Sequence, residues 1–245
     1  MNRTVINLLA ASALLLAVTT ATAQKKDKPW PEWSKQEAEK MLANSPWAQT
    51  QTDTDTSQMF YSPTSDPRRM GTSSNDGSRL EQGATNQAVN VSFHVRFFSA
   101  RPVRQALVRL MELQQKPTPE VERKLQSFAE LESTNSIIVT DSFESNDQRF
   151  SGKVMQAFNS AITATLKNNA YLERGDGKRL FLEEYVPPGK DGFGARFIFL
   201  RELDGQSFIA ANGGEIRFHA EYSDGIKVDR RFKIADMMLD GKLEY

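Results

Sequence analysis

The chain has 245 residues with 31 basic and 31 acidic side chains, so its formal net charge is zero. This length allows one large domain or two small ones. A neutral chain lacks the excess of positive charge that is typical of nucleic-acid-binding proteins, so no nucleic-acid partner is expected. The chain contains no cysteine, which excludes disulfides, thiolate metal ligands and cysteine nucleophiles.

The first 23 residues have the layout of a secretory signal peptide. Arg3 gives a positive start, Leu8–Val18 is an apolar run, and Ala21-Thr22-Ala23 is typical of a cleavage site. The run is shorter than the about 20 residues that a membrane-spanning helix needs. We therefore expect cleavage near Ala23 and export to the periplasm or beyond, with no transmembrane span in the mature chain.

Residues 24–47 contain all three tryptophans of the chain. Ser34 and Glu37 have the spacing of a capping box, in which a hydroxyl and a carboxylate satisfy the first free N–H groups of a helix. We expect a short helix from Lys35 to about Ala43. The tryptophans on either side would then dock this helix on the main domain or on a partner.

Residues 48–88 are rich in Ser, Thr, Asp and Gln and poor in large apolar side chains. So little apolar area cannot offset the entropy that is lost on folding, and the composition predicts a mostly disordered linker. Asp53–Ser57 begins like a calcium-binding loop. However, Gln58 and Thr64 stand where that loop needs a glycine and a glutamate, so no metal site is predicted there.

The globular part of the chain is predicted to begin at Val89 and to start with a helical region over 89–168. Residues 89–97 alternate between apolar and polar side chains, which indicates a strand. The further elements are a helix at 100–115 capped by Ser99, a helix from Thr118-Pro119, a strand at 136–140 and a helix from Ser151. In the helix from Thr118, the apolar residues expected to face the core are Val121, Leu125, Phe128 and Leu131.

Residues 169–245 are typical of antiparallel β-structure. Five Asp-Gly pairs separate segments of alternating hydrophobicity, and Asp-Gly is the strongest local signal of a hairpin turn. Strands are predicted near 169–174, 178–186, 195–203, 206–211, 215–222 and 226–234.

The predicted fold is therefore α+β. An N-terminal helix and a flexible tract precede a strand and three helices, which lead into a C-terminal antiparallel β-sheet or sandwich. Short connections favour one compact unit over 89–245, although two subdomains remain an alternative.

The register of the hairpin around Asp224-Gly225 can also be predicted. A three-residue loop, Ser223–Gly225, is favoured because it places the apolar residues of both strands on one face, with Gly225 at positive φ. Across the other face it sets unlike charges or polar groups opposite each other in the pairs Glu215–Lys233, His219–Asp229 and Glu221–Lys227. Arg230 is the exception, since it falls on the apolar face opposite Phe218.

Several stretches together carry a resemblance to a known group of proteins. They are Trp33–Glu39 with Asn44–Trp47, Phe97–Ala106, Tyr185–Pro188, Gly192–Ala195 and Asp240–Tyr245. The chain resembles uncharacterised exported bacterial proteins that are related to proteins with a GWxTD domain. The Gly-Trp-x-Thr-Asp motif itself is absent, so nothing is carried over from that domain. The resemblance implies export, and it implies no activity, ligand or catalytic residue.

The sequence predicts no catalytic residue, cofactor or metal ion. His94 and His219 lie on predicted strands and have no further ligands at metal-binding spacing. A Ser-His-Asp site lacks its usual Gly-x-Ser-x-Gly turn. Glu183 and Glu184 are adjacent on a strand, so they point to opposite faces and cannot act at one site.

Two groups of residues are candidates for binding. Tyr185 and Phe193 lie beside the Pro187-Pro188 turn, where exposed rings could stack on a sugar or a peptide. Arg101 and Arg104 form part of a basic helix side that fits an acidic partner. Together with the tryptophans, the predicted partner-binding residues are Trp30, Trp33, Trp47, Arg101 and Arg104.

These observations favour a non-catalytic, exported binding or interaction protein of the bacterial cell envelope, with an envelope protein or a glycan as its partner. One alternative is a secreted hydrolase that uses acidic residues on the β-hairpin loops, such as Asp191 and Asp204. Another is a structural part of an envelope complex that docks through residues 24–47.

Overall fold

The computed structural model describes residues 28–55, 89–132 and 135–245, so the predicted signal peptide and residues 56–88 lie outside the described residues. The helices are α1 (Lys35–Ala43), α2 (Arg101–Gln114), α3 (Pro119–Ala129), α4 (Gln148–Ser160) and α5 (Thr163–Leu166). The first strands are β1 (Ala48–Asp55), β2 (Val89–Phe97), β3 (Ser136–Ser145), β4 (Ala170–Arg174), β5 (Arg179–Phe181), β6 (Glu184–Val186) and β7 (Ala195–Leu200). The remaining strands are β8 (Glu202–Leu203), β9 (Gln206–Ser207), β10 (Glu215–Glu221), β11 (Lys227–Lys233), β12 (Met238–Leu239) and β13 (Lys242–Leu243).

The strands form two large antiparallel sheets and two small two-stranded ones, β8-β9 and β12-β13, and the prediction of an α+β fold is confirmed. Sheet 1 has the strand order β1-β2-β3-β7-β6, and sheet 2 has the order β11-β10-β4-β5. Strands β6 and β7 come from the predicted hairpin region, yet they join β2 and β3 of the predicted helical region. The two regions 89–168 and 169–245 therefore share one sheet.

The predicted register of the β10–β11 hairpin is confirmed. The observed pairs include Glu215–Lys233, His219–Asp229 and Glu221–Lys227. Tyr222 N donates to Ile226 O across 2.8 Å, and Gly225 has a φ of 74°. Arg230 lies opposite Phe218, as expected. A hairpin register depends on loop length and side-chain pattern, both of which are local.

The inner faces of the two sheets meet in an aromatic core. Phe97 of β2 contacts Phe232 of β11 edge to face, with ring centroids 4.9 Å apart. Phe197 of β7 contacts Phe218 of β10 in the same way at 5.0 Å. Edge-to-face pairs are favourable because the positive edge of one ring meets the negative face of the other. These contacts hold the two sheets face to face.

The two sheets are also connected along both of their edges. On one side, residues 179–186 run from β5 in sheet 2 to β6 in sheet 1. On the other side, Gln51 of β1 donates from Nε2 to Lys227 O and accepts at Oε1 from Asp229 N, both across 2.8 Å. The Gln51 side-chain amide thus forms hydrogen bonds with two backbone groups of the edge strand β11. The inward-facing charge of Arg230 also discourages other chains from pairing with that edge.

Helix α1 packs on the outer face of sheet 1. Ser34 and Glu37 form the predicted capping box at the start of the helix. Near its end, Leu42 O accepts from Arg96 Nε of β2 across 2.7 Å. Helix α2 contacts α1, and α3 contacts α2, so the three helices form one layer.

The two longer helices of this layer begin differently. Helix α3 starts after Thr118, whose hydroxyl accepts from Val121 N as predicted. The prediction that Ser99 caps α2 is wrong, because the residue before α2 is Ala100. Ser99 is buried against β3 instead, where its Oγ accepts from Ile138 N across 3.0 Å.

The prediction of a disordered linker over 48–88 is wrong for the first residues of that range. Ala48–Asp55 form β1, which pairs with β2 along its whole length. The strand has almost no apolar side chain, so a search for hydrophobic alternation cannot find it. Polar contacts stabilise it instead, such as those of Gln51 and the hydrogen bond from Thr50 Oγ1 to Ala43 O at 3.0 Å.

Candidate functional site: the helical surface of α2 and α3

Helix α3 carries an apolar stripe that the fold leaves partly uncovered. Its only buried residue is Ala129. Val121 is 46% exposed, Leu131 beyond the helix end is 48% exposed, and Leu113 at the end of α2 is 44% exposed. The expectation that the stripe faces the core is therefore wrong for Val121 and Leu131. We call Leu113, Val121, Leu125, Phe128 and Leu131 the α2–α3 surface.

Aromatic rings extend the α2–α3 surface towards a neighbouring loop. Phe128 contacts Phe98, with ring centroids 5.7 Å apart, and Phe98 contacts Phe193 at 5.1 Å. All three side chains are half-buried. Phe193 is one of the two predicted ligand-binding residues, and it borders the helical surface rather than a separate cleft.

Tyr185, the other predicted ligand-binding residue, is a core residue. It is only 5% exposed, so the expectation of an exposed ring beside the Pro187-Pro188 turn is wrong. Strand β6 turns the ring inward, where it contacts Phe197 with centroids 5.2 Å apart. The hydroxyl donates to Phe158 O of α4 across 2.7 Å.

Two of the predicted partner-binding tryptophans lie beside helices α2 and α3. Trp30 Nε1 donates to Glu130 Oε1 across 2.7 Å, just after the end of α3. Trp33 O accepts from Arg109 Nε of α2 across 2.7 Å. Both tryptophans are half-buried by these contacts. The segment before α1 is thus docked on the helical layer of the same chain.

Trp47 docks at another position, between the start of β1 and the C-terminal segment. It is buried, and its Nε1 donates to Glu244 O across 2.8 Å. Of the two interpretations of this tryptophan, docking on the main domain is the one observed.

Arg104 is predicted to face a partner, but its guanidinium is buried. It donates to Phe128 O across 3.1 Å and bonds the carbonyls of Ser99 and Leu131 as well. Burial lowers the pKa of Arg104 below its ordinary value. Arg104 therefore joins the start of α2 to the end of α3.

Arg101, the other predicted partner-binding arginine, makes ion pairs within the protein. Its guanidinium lies 3.9 Å from Glu130, 3.4 Å from Asp240 and 3.2 Å from Glu244. These pairs connect α2 to the end of α3 and to the C-terminal segment. Arg101 thus lies at the border of the helical layer, with its charge already balanced.

A second unusual position lies in the core, where Asp141 occupies an inward-facing site of β3. Its carboxyl is fully buried, Oδ2 lies 3.1 Å from Tyr222 Oη, and Oδ1 has no hydrogen-bond partner. Desolvation raises the pKa of Asp141 to about 8, against smaller opposing effects of Tyr222 and Arg96. Strongly shifted carboxyl groups are enriched at functional sites.

The two histidines lie in separate polar networks. His219 Nδ1 lies 3.1 Å from Asp229 Oδ2. Burial alone would raise the pKa of Asp229, but hydrogen bonds from Arg217 and His219 outweigh it and lower that pKa. His94 Nδ1 lies 3.0 Å from Thr50 Oγ1, and burial lowers the pKa of His94. Within the described ranges, no three His, Asp or Glu side chains are grouped so that they could hold a metal ion.

Four acidic residues of the hairpin loops form ion pairs with basic residues. The ion pairs are Asp176–Arg174, Asp191–Arg196, Asp204–Lys178 and Asp240–Arg101. A glycosidase-type hydrolase needs two carboxyl groups about 5–9 Å apart on either side of one bond. These four carboxylates instead each balance a cation, so their geometry adds no support for the hydrolase alternative.

Comparison of the chain with protein-family models, with curated proteins and with solved structures found no match in any of the three. Among the described helices, none has both the length and the apolar character needed to cross a membrane.

Sequence reasoning missed the two positions that stand out in the structure. An amphipathic pattern such as that of α3 does not reveal whether its apolar side is covered by the same chain or by another. The buried position of Asp141 was not predicted, because the predicted strand 136–140 ends one residue before it. The available signal was an acidic residue placed directly after the β-branched run Ile137–Thr140.

Proposed function

We propose that the protein is an exported interaction protein of the bacterial cell envelope and that it binds a partner protein through the α2–α3 surface. The exposure of Leu113, Val121 and Leu131 is the observation that carries this proposal. Fully burying a large apolar side chain contributes about 1.5–3 kcal/mol, and each of the three is a little under half exposed, so a partner that covers them gains about 2–4 kcal/mol in total. The layout of residues 1–23 and the resemblance to exported bacterial proteins support the export part of the proposal.

The arrangement of the α2–α3 surface fits an apolar groove on the partner, into which α3 would insert. Val121, Leu125 and Phe128 follow the spacing i, i+4, i+7, which is the pattern that helix-in-groove recognition uses. Leu113, which is 44% exposed, lies at the end of α2, the helix that α3 contacts. Exposed side chains of both signs flank the stripe, among them Glu122 and Lys124, and they provide the polar rim that protein interfaces have.

The test compares binding by the double variant Val121→Asp/Leu131→Asp with binding by Met155→Asp. Met155 is a matched control, because it is 42% exposed and lies on another helix, α4. Each protein is immobilised and exposed to bacterial envelope extract, and the retained proteins are identified by mass spectrometry. Urea unfolding curves of the variants establish that both are folded.

The expected result is a protein partner that the wild type and Met155→Asp retain and that the double variant binds at least about tenfold more weakly, a loss of about 1.4 kcal/mol. Equal retention by the double variant would show that the α2–α3 surface does not bind this partner. Retention of no protein by the wild type would contradict the proposal as a whole.

A further inference from the structure

The carboxyl group of Asp141 is buried without a cation beside it. It lies on the inner face of sheet 1, where its partner in β2 is Val95. Arg96, the next residue of β2, points to the outer face, where Nε donates to Leu42 O and Nη1 to Ser142 Oγ. A buried carboxylate without a direct ion partner is costly, and such a group takes up a proton instead.

The groups around Asp141 are mostly apolar. Its neighbours across sheet 1 are Val95 and Ala195, and helix α4 contributes the Phe158 ring, which stacks on Tyr222. The titratable groups that face it from the packed elements are Tyr222 of the β10 end and Tyr185 of β6, while Arg96 of β2 acts on it from the other face of sheet 1. Burial raises the pKa of both tyrosines, so both keep their protons.

The hydrogen bonds of this cluster are consistent with a neutral Asp141. Tyr185 donates its single proton to Phe158 O, so its oxygen can only accept further bonds. The Tyr222 hydroxyl interacts with both Tyr185 and Asp141. If Asp141 donates to Tyr222, then Tyr222 is free to donate to Tyr185. Each proton then has an acceptor, and the chain ends on a carbonyl in the last turn of α4, where helix carbonyls lack partners.

We propose that the native protein holds Asp141 in its protonated form and that this proton connects sheet 1, sheet 2 and helix α4. Loss of the proton places a charge between two apolar sheets, with the Tyr222 hydroxyl as its bonded donor. The stability of the fold therefore depends on pH. The free energy of unfolding is highest in acid, and it decreases as the pH rises through the neutral range.

The sign follows from proton linkage. A free aspartate has a pKa of about 3.9, and the pKa of Asp141 in the folded protein lies above that value. Between the two values, the unfolded chain has lost a proton that the folded protein keeps. The contribution to stability is therefore full below the lower value and decreases as the pH rises towards the higher one. In this range each pH unit multiplies the unfolding equilibrium constant by about ten.

The first experiment measures urea unfolding of the full chain and of Asp141→Asn between pH 5 and 8. The amide has the shape of the carboxyl group and does not titrate. The ratio of the two unfolding constants, wild type over variant, should rise about tenfold per pH unit up to neutral pH. Asp236→Asn, at an exposed site, shows how much an Asp-to-Asn change contributes without burial. A ratio that changes less than about twofold per pH unit would overturn the proposal.

A second measurement uses the unmodified protein and covers the case in which Asp141→Asn does not fold. Aspartate side chains are labelled with ¹³C, and their carboxyl resonances are followed by NMR across the same pH range. One resonance should titrate within about one pH unit of 8, as the raised pKa of Asp141 requires. The proposal is wrong if every aspartate resonance has completed its titration below about pH 6.

Discussion

Replacing Arg104 with methionine should destabilise the protein by about 2–4 kcal/mol. Arg104 lies in the first turn of α2, is 3% exposed, and bonds the carbonyls of Ser99, Phe128 and Leu131. Methionine keeps an apolar stem of similar length but has no donor. The end of α3 then loses the hydrogen bonds that hold it against the start of α2.

The magnitude follows from the pairing of the three carbonyls. Phe128 O also accepts a hydrogen bond from Leu131 N across 3.4 Å, so this carbonyl keeps one partner when the arginine is removed. Removing the donor costs about 1–3 kcal/mol at the buried Ser99 O, and the lost bond to the partly buried Leu131 O adds about 1–2 kcal/mol. The guanidinium charge is no longer buried in the variant, which recovers part of that cost.

The assay is urea unfolding followed by far-UV circular dichroism, with Arg101→Met as the matched control. Two ion pairs of Arg101 reach the exposed side chains of Glu130 and Asp240, and the third reaches the mostly buried Glu244, so that variant should lose less than Arg104→Met, about 1–2 kcal/mol. Equal losses for the two arginines, or a loss below about 1 kcal/mol for Arg104→Met, would refute the reasoning.

Two further substitutions, one of them with a matched control, test the close contacts of the sheets. Gly194→Ala should cost more than about 3 kcal/mol, because Gly194 has a φ of +86° and an added Cβ would overlap with Asp141 O. Gly192→Ala, with a φ of +76° and open space, should cost only about 1–2 kcal/mol, and equal midpoints in urea would contradict this distinction. Gln51→Ala should cost about 1–2 kcal/mol and should speed hydrogen exchange of the Asp229 amide, which now bonds to Gln51 Oε1. Unchanged exchange of that amide would mean that Gln51 does not protect the edge of β11.

The local features of the fold could be predicted because short-range interactions decide them. The β10–β11 register depends on a three-residue loop and on cross-strand pairs such as Glu221–Lys227. The capping box of Ser34 and Glu37 is likewise contained within one helical turn. In both cases, the residues that determine the structure are close together in the sequence.

The arrangement of the sheets could not be predicted in the same way, because it depends on contacts between distant residues. Strand β1 is the clearest case, since Gln51 finds its partners in Lys227 and Asp229. This result also bears on deletion experiments. Removing residues 24–88 to test the tryptophan segment would remove α1 and β1 and expose the edge of β2, so a loss of binding could reflect a loss of fold.

Asp141 shows how a strand prediction fails at an unusual residue. The β-branched run predicts a strand at 136–140, whereas β3 continues to Ser145. Aspartate is unfavourable in strands, so the run of residues that predicts the strand ends at Asp141, although the carboxyl group of Asp141 lies in the core. Places where a sequence contradicts its local rules are expected to be functional or strained, and the raised pKa of Asp141 agrees with that expectation.

Helix α3 is held by polar contacts at its C-terminal end rather than by burial of its apolar stripe. Arg104 bonds the carbonyls there, and Glu130 Oε1 accepts from Trp30 Nε1 and from Gln105 Nε2 across 2.7 and 3.0 Å. A helix held by the core would show the opposite, with its stripe buried and few such anchors. Because the fold depends little on Val121, a polar residue at that position should change binding without changing stability. The anchoring of α3 therefore separates its role in the fold from its proposed role in recognition.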